Sequence, residues 1–216
     1  DLYGLRRSAQ RVLEALVSLP ELRARAERVY APFLQLSERE SEYGSSGRNL
    51  SAECSEIVEM LADAGQYGSE VYENACVVRD AEEYYRTTDG AESWNVRDRH
   101  MFSVAERRIV AGASRLVVWA HNSHVLDFRA TSHAERGEHS VGQLIREALS
   151  NDGPKGAFIV AQSSYAGTVR AAPSWGQPSQ VMEVVRPASS SLQALLHQAH
   201  AVNGAPADFG PTFGED

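Results

Sequence analysis

The chain has few cysteines, and their spacing matches no structural cysteine module. Its 216 residues include only Cys54 and Cys76, and there is no Cys-x-x-Cys pair. This spacing excludes a disulfide framework and a structural zinc module of the usual kind. We therefore expect both thiols to lie in the core of a protein from a reducing compartment, the cytoplasm.

Long hydrophobic runs are also missing. No segment approaches the ~20 apolar residues that cross a bilayer, and no basic start precedes an apolar stretch with a cleavage site. The sequence therefore indicates no membrane and no export signal. A formal charge of −8 disfavours nucleic acid as a partner, whereas 43% apolar residues suffice for a globular core. We expect a small-molecule partner, and the sequence indicates no particular oligomeric state.

Several motifs of familiar enzymes are absent as well. There is no Gly-x-Ser-x-Gly, no Gly-x-Gly-x-x-Gly, no phosphate loop and no His-Glu-x-x-His. The first absence disfavours Ser123 as a nucleophile, because a serine needs a strained elbow to act in that way. The others remove the support for a bound nucleotide, and we expect no cofactor.

Apolar spacing predicts helices over most of the first 110 residues. The predicted helices are 1–19, 21–36, 51–65, 70–85 and about 92–110, with two more at 141–149 and 191–201. We expect Asp1 to cap the first helix, Pro20 to end it and Pro32 to interrupt the second. Residues 37–51, rich in Gly and Ser, predict an exposed loop.

Two short apolar runs predict strands that are buried on both faces. They span 115–120 and 157–161, and the helix between them completes a strand–helix–strand crossover. The predicted fold class is α/β, mostly helical around a central parallel or mixed sheet. Two strands are few for so many helices, and the chain starts with Asp1, so we expect it to be part of a longer protein.

The residues that follow the first predicted strand are candidates for chemistry. They are His121, Asn122, Ser123 and His124, and ligands in α/β sheets bind beyond the carboxyl ends of strands. Two imidazoles and an amide provide groups for proton transfer and oxyanion contact. In the alternative interpretation, one histidine caps the turn and the other lies on the surface.

A metal site is a second hypothesis for this region. The histidines could be joined by nitrogen and oxygen ligands from Asp127, His133, Glu135, Glu138 or His139. Their spacing matches no zinc hydrolase motif, so the sequence assigns no metal ligand.

A second cluster lies at the start of the helix that ends near residue 110. It contains Trp94, Arg97 and Asp98, and Asp98 would interact favourably with the helix dipole while Arg97 could reach a substrate anion. The alternative is a capped helix whose charges are solvated.

Taken together, these clusters resemble the erythromycin esterase family. The similar stretches are 1–8, 74–85, 92–101, 117–124, 142–144 and 165–169, so the likeness covers nearly the whole chain. The most specific piece is Trp119-Ala-His-Asn-x-His124. The resemblance implies a helical α/β fold with a deep cleft, and hydrolysis of a macrolide lactone ester by water that a histidine activates, without a metal.

The resemblance also assigns roles to individual residues. It implies that His124 contacts substrate or water and that His121 orients the site, and we add Asn122, Trp94, Arg97 and Asp98 as substrate-binding candidates. The family's base histidine, with Glu and Arg companions, lies in an N-terminal segment that has no counterpart here. We therefore expect these 216 residues alone to hydrolyse esters weakly or not at all.

The sequence thus predicts a carboxylic ester hydrolase that inactivates a macrolide antibiotic. Residues 1–201 are predicted to form the C-terminal part of its catalytic domain, and 202–216 a flexible tail. Two alternatives stay open, a non-catalytic relative that binds a ligand or partner, and a metal-dependent hydrolase. The family includes members of other annotated roles, so the substrate itself is not assigned.

Overall fold

The computed structural model describes residues 4–36, 47–87, 90–113, 115–149, 156–174 and 176–203. The chain divides into two units, Asp1–Val160 and Ala161–Asp216, and its described residues are mostly helical. No helix in the described ranges combines the length and the apolar character needed to pass through a bilayer.

Helices build the first unit. They are α1 (Leu5–Ala15), α2 (Pro20–Leu34), α3 (Ser51–Leu61), α4 (Glu70–Arg86), α5 (Gly90–Val110), α6 (Asn122–Val125), α7 (Ser132–Glu135) and α8 (Val141–Ala148). The connections include 3₁₀ turns at Leu16–Ser18 and Phe128–Ala130 and a π turn at Ala62–Gln66. The long helices confirm the predictions from apolar spacing, with ends that shift by a few residues.

The core of the first unit lies where the apolar stripes of α1 to α4 meet. Its fully buried side chains include Leu5, Val12, Leu16, Tyr30, Phe33, Ile57, Leu61 and Val78. Each large apolar side chain buried in this way contributes about 1.5–3 kcal/mol. Cys54 and Cys76 belong to this core, as predicted, and burial raises the pKa of Cys54 to about 12.

The prolines of this region act differently from the prediction. The 3₁₀ turn after α1 ends that helix, and Pro20 is the first residue of α2, where its missing N–H costs no helical bond. Pro32 lies inside α2 and does not end it, because the helix continues to Leu34. The expected cap at Asp1 and the loop residues 37–46 lie outside the described residues.

The predicted strands at 115–120 and 157–161 do not form. The structure gives the described residues of both runs no regular secondary structure, so the predicted crossover and central sheet are not seen in the described part of the chain. Val117 and Trp119 are 86% and 85% exposed. The physical reason is that an apolar run becomes a strand only when a neighbouring strand pairs with its backbone groups.

The second unit contains a small sheet that the sequence analysis missed. Strands β1 (Thr168–Ala171) and β2 (Gln180–Glu183) pair antiparallel, with Thr168 opposite Glu183. The last predicted helix is confirmed as α9 (Leu192–Asn203). The first two residues of the predicted tail belong to this helix, and residues 204–216 lie outside the described part of the chain.

Two pairs of ionisable side chains join α4 to α5, one buried and one half-buried. The Nδ1–H of His100 donates to Oδ2 of Asp80 at 2.7 Å, and Arg107 makes two bonds to Glu73 at 2.8 and 2.7 Å. Arg79 donates from Nε to the other oxygen of Asp80 at 2.7 Å. Burial alone would raise the pKa of Asp80, but the hydrogen bonds from His100 and Arg79 outweigh it and hold this pKa below its ordinary value.

We expect Asp80 to contribute to acid unfolding. Because its folded-state pKa lies below the ordinary value of 3.8, its stabilising effect is present above that pH and is lost as pH falls through the folded-state pKa. Asp80→Asn should therefore weaken the acid dependence of the free energy of unfolding, measured by urea titration between pH 6 and pH 2. The same substitution at exposed Asp63 is the control, and an unchanged acid dependence in Asp80→Asn would contradict the prediction.

A close backbone approach holds α6 against α8. A Cβ at Gly142 would lie 1.9 Å from the carbonyl oxygen of Val125, so only glycine fits there. Ser140 caps α8 by accepting from the N–H of Gln143 and donates its hydroxyl to the carbonyl of Leu126. These contacts place the turn that carries the candidate histidines against the first turn of α8.

We expect Gly142→Ala to push α6 away from α8. The added methyl meets backbone atoms, which yield less readily than side chains, so the free energy of unfolding should fall by about 1–3 kcal/mol or more. Urea denaturation followed by circular dichroism measures the loss. The control is Gly90→Ala, where no described atom lies within 4 Å of the new Cβ. Equal stability of the two variants would contradict the close approach.

Candidate functional site

One face of α5 supplies the buried part of the site. Trp94, Asn95 and Asp98 are three and four residues apart, so a helix places them side by side. Asn95 and Asp98 are 6% and 0% exposed, and this face packs on residues from the 121–141 region. Helical spacing thus gathers the aromatic ring, the amide and the carboxylate.

The carboxylate of Asp98 is shared between a histidine and a helix start. Its Oδ1 accepts from Nδ1–H of His124 at 2.8 Å, and its Oδ2 accepts from the N–H of Val141 at 3.0 Å. Val141 is the first residue of α8, so the negative charge faces the positive end of that helix. The predicted interaction with the dipole of its own helix is wrong, because α5 begins at Gly90 and Asp98 lies beyond its first turn. Both carboxylate oxygens are therefore occupied in a fully buried position.

This arrangement fixes the tautomer of His124. An ionised carboxylate only accepts hydrogen bonds, so Nδ1 carries the proton and Nε2 of the neutral ring carries a lone pair. No group in the described ranges hydrogen bonds to that Nε2. The side chain is 9% exposed. His124 is thus prepared to accept a proton at Nε2, with Asp98 positioned to stabilise the resulting imidazolium.

Trp94 fixes the plane of the His124 ring. The two rings stack with centroids 4.9 Å apart and planes 8° from parallel. The indole N–H donates to the carbonyl oxygen of His139 at 2.9 Å, and the guanidinium carbon of Arg97 lies 6.0 Å from the indole centroid. A stacked indole favours a cation next to it, which suits a ring that takes up a proton.

Asn95 ties α5 to the segment before α8. Its amide nitrogen donates to the carbonyl of Gly137 at 2.9 Å, and its oxygen accepts from the N–H of His139 at 3.0 Å. Burial lowers the pKa of His139, and its Nε2 is buried with no hydrogen-bond partner among the residues that the structure describes. Together with the Trp94 bond, these contacts hold residues 137–139 on α5.

His121 lies at the start of the turn that carries His124. It is exposed, and its Nδ1 caps α6 by accepting from the N–H of Ser123 at 3.2 Å, with the Ser123 hydroxyl 2.9 Å away. Asn122 is the half-buried first residue of α6. The structure therefore gives one histidine the capping position that the sequence analysis kept as an alternative, while the other enters the buried site.

The remaining candidate ligands of the metal hypothesis form their own contacts. Nδ1 of His133 lies 2.5 Å from Oε2 of Glu138, and its ring stacks on Phe128 with centroids 3.9 Å apart. Asp127 caps the 3₁₀ turn and pairs with Arg129. Within the described part of the chain, no three His, Cys, Asp or Glu side chains are grouped to hold a metal ion.

The family model for Erythromycin esterase matches residues 1–210. The chain belongs to the erythromycin esterase family. No solved structure matches it. In this erythromycin esterase family member, the stretches 92–101 and 117–124, which carried the resemblance, meet at the bond between Asp98 and His124. The two clusters that the sequence analysis treated separately thus form one site.

Sequence reasoning found some members of this site and missed others. The structure brings together Trp94, Arg97, Asp98 and His124, whereas His121 bonds to Ser123. Further contributors were not predicted, and they are Asn95, Phe128, the carbonyl of His139 and the N–H of Val141. The helical spacing from Asp98 could have indicated Asn95, but backbone groups leave no signal in a sequence.

We expect Asp98→Asn to change the tautomer of His124. The backbone N–H of Val141 can only donate, so it keeps the amide oxygen, and the amide NH₂ faces His124, whose Nδ1 must then accept. Both hydrogen bonds also lose the charge of the carboxylate. The free energy of unfolding should fall by about 1–3 kcal/mol, and ¹⁵N NMR of the imidazole should show the Nε2–H form. Asp127→Asn, at a cap position where Asn serves equally well, is the control. An unchanged tautomer in Asp98→Asn would contradict the assigned roles.

Proposed function

We propose that the chain is a carboxylic ester hydrolase that cleaves an ester or macrolide lactone by attack of water and so inactivates an antibiotic in the cytoplasm. Two findings support the proposal. The family match covers nearly the whole chain, and the buried bond between Asp98 and His124 leaves Nε2 of the imidazole as a base. The second finding carries the proposal, because hydrolysis needs a group that takes a proton from water, and we assign this role to His124 in place of the histidine that the resemblance puts in an N-terminal segment.

The proposed reaction follows from the tautomer of His124. Nε2 removes a proton from a water molecule while the water oxygen bonds to the carbonyl carbon of the ester. The carbonyl electrons move to oxygen, and the tetrahedral intermediate then breaks the bond to the alcohol oxygen. The imidazolium returns its proton to that oxygen, which releases an alcohol and a carboxylic acid. Throughout these steps Asp98 stabilises the imidazolium by accepting from Nδ1–H at 2.8 Å.

The other residues of the site have supporting roles in this proposal. Arg97 is half-buried beside Trp94, and its guanidinium is a candidate contact for the oxyanion or for an anionic group of the substrate. Asn122 begins the turn next to His124 and is a candidate contact for the carbonyl group. Asp98 is 0% exposed, which supports a positioning role in place of the substrate contact predicted from the sequence. His121 orients the site through the cap.

Two histidine variants test the proposal. The protein as its source produces it is assayed with erythromycin, by mass spectrometry of the opened lactone, and with p-nitrophenyl acetate. His124→Gln keeps the size and polarity of the side chain but cannot take up a proton, so kcat should fall by about 10²–10⁴-fold. His121→Asn keeps a side chain that caps α6, so most of the activity should remain.

The outcomes separate the proposal from the binding alternative. Equal turnover by His124→Gln and the unsubstituted protein would remove the imidazole from the mechanism. If the unsubstituted protein hydrolyses neither ester but binds erythromycin in calorimetry, the chain is a ligand-binding relative and not an esterase. Hydrolysis that stops on chelation and returns with a divalent ion would instead support the metal-dependent alternative.

A further inference from the structure

The helix α5 carries buried polar groups on two opposite sides. Asp98 and His100 are two residues apart, which is about 200° around a helix, and they are 0% and 4% exposed. Asp98 faces His124 and α8, whereas His100 faces Asp80 on α4. The catalytic proposal uses only the first side, so the second buried carboxylate–histidine pair has no role in it.

The second side fixes how α5 lies along α4. Glu73 and Asp80 are seven residues apart on α4, and their partners Arg107 and His100 are seven apart on α5, in reverse order. The two antiparallel helices are therefore joined by side-chain hydrogen bonds at two positions, which are two helical turns apart. A slip of one turn, about 5.4 Å, would separate both pairs at once and would break the hydrogen bond of the buried His100 to Asp80.

The same register sets the position of Asp98. The structure holds Oδ1 and Oδ2 of this residue at 2.8 and 3.0 Å from their partners, and a hydrogen bond to a misplaced donor weakens steeply. Because Asp98 and His100 belong to the same turn of a rigid helix, a small shift at one is transmitted to the other. We therefore expect the length of the Asp98–His124 bond to depend on the Asp80–His100 bond.

We propose that the Asp80–His100 pair is a positioning element for the reaction, which holds α5 so that Asp98 meets His124. The proposal rests on the proposed function of His124. His100 touches neither the substrate nor the reacting atoms in it and acts only through α5. Its predicted effect is on kcat, because a poorly oriented base slows the proton transfer without removing substrate contacts.

Two amide variants at His100 provide the test. The amide nitrogen of asparagine occupies nearly the place of Nδ1, so His100→Asn keeps the donor to Asp80, whereas the amide of glutamine lies near the place of Nε2. His100→Gln should lower kcat for p-nitrophenyl acetate by about 10–10²-fold with KM unchanged. His100→Asn should keep most of kcat. The ¹⁵N NMR signals of His124 should show the Nδ1–H form in the unsubstituted protein and in His100→Asn, and lose part of it in His100→Gln.

A carboxylate elsewhere on α4 gives the matched control. Glu82 is 0% exposed and its Oε1 accepts from the N–H of Leu50 and from Arg86, both at 2.8 Å, so it holds the start of α3. Glu82→Gln should lower stability but leave kcat and the His124 signals unchanged. The positioning role is wrong if His100→Gln keeps the kcat and signals of the unsubstituted protein, or if Glu82→Gln changes them equally.

The NMR signals separate this inference from the esterase proposal. If the unsubstituted protein hydrolyses no ester, the proposed function fails, but the His124 signals still show whether His100 positions the ring. If His100→Gln does not fold, Asp80→Asn replaces it, because its amide oxygen must choose between His100 and Arg79. A loss of the Nδ1–H form of His124 in Asp80→Asn then supports the inference, and retention contradicts it.

Discussion

The carboxylate of Asp98 is the point at which three segments of the first unit meet. It extends from α5, accepts from His124 in the turn that begins at His121, and accepts from the first N–H of α8. The charge is fully buried, so each missing donor would leave an unpaired group in a dry environment, at a cost of several kcal/mol. The close approach at Gly142 and the stack of Trp94 on His124 hold these segments where both donors reach the carboxylate of Asp98.

The helices and part of the site could be predicted because both depend on local spacing. Apolar residues at helical intervals gave α1 to α5, α8 and α9, and the four-residue spacing of Trp94 and Asp98 placed them on one face. The pairing of His124 with Asp98 could not be derived in this way. The two residues are 26 positions apart, and any of several carboxylates could have served on spacing alone.

The strands, both the two predicted wrongly and the two not predicted, depend on more than local spacing. The run at 115–120 has the composition of a buried strand, yet strand formation depends on a partner that composition does not identify. The strands β1 and β2 carry mixed polar and apolar residues and pair antiparallel. Whether these strands form depends on how their backbones pair, and backbone register has only a weak signal in a single sequence.

Residues of α5 belong to two carboxylate–histidine pairs, but only the pair of Asp98 and His124 is proposed to be catalytic. The other hydrogen bonds of the two carboxylates explain the difference. The second oxygen of Asp98 accepts from the neutral N–H of Val141, so its charge remains available to an imidazolium at His124. The second oxygen of Asp80 accepts from the guanidinium of Arg79, which already compensates the charge. This difference is why we propose the pair on one side of α5 as a base and the same chemical pair on the other side as a fixed link.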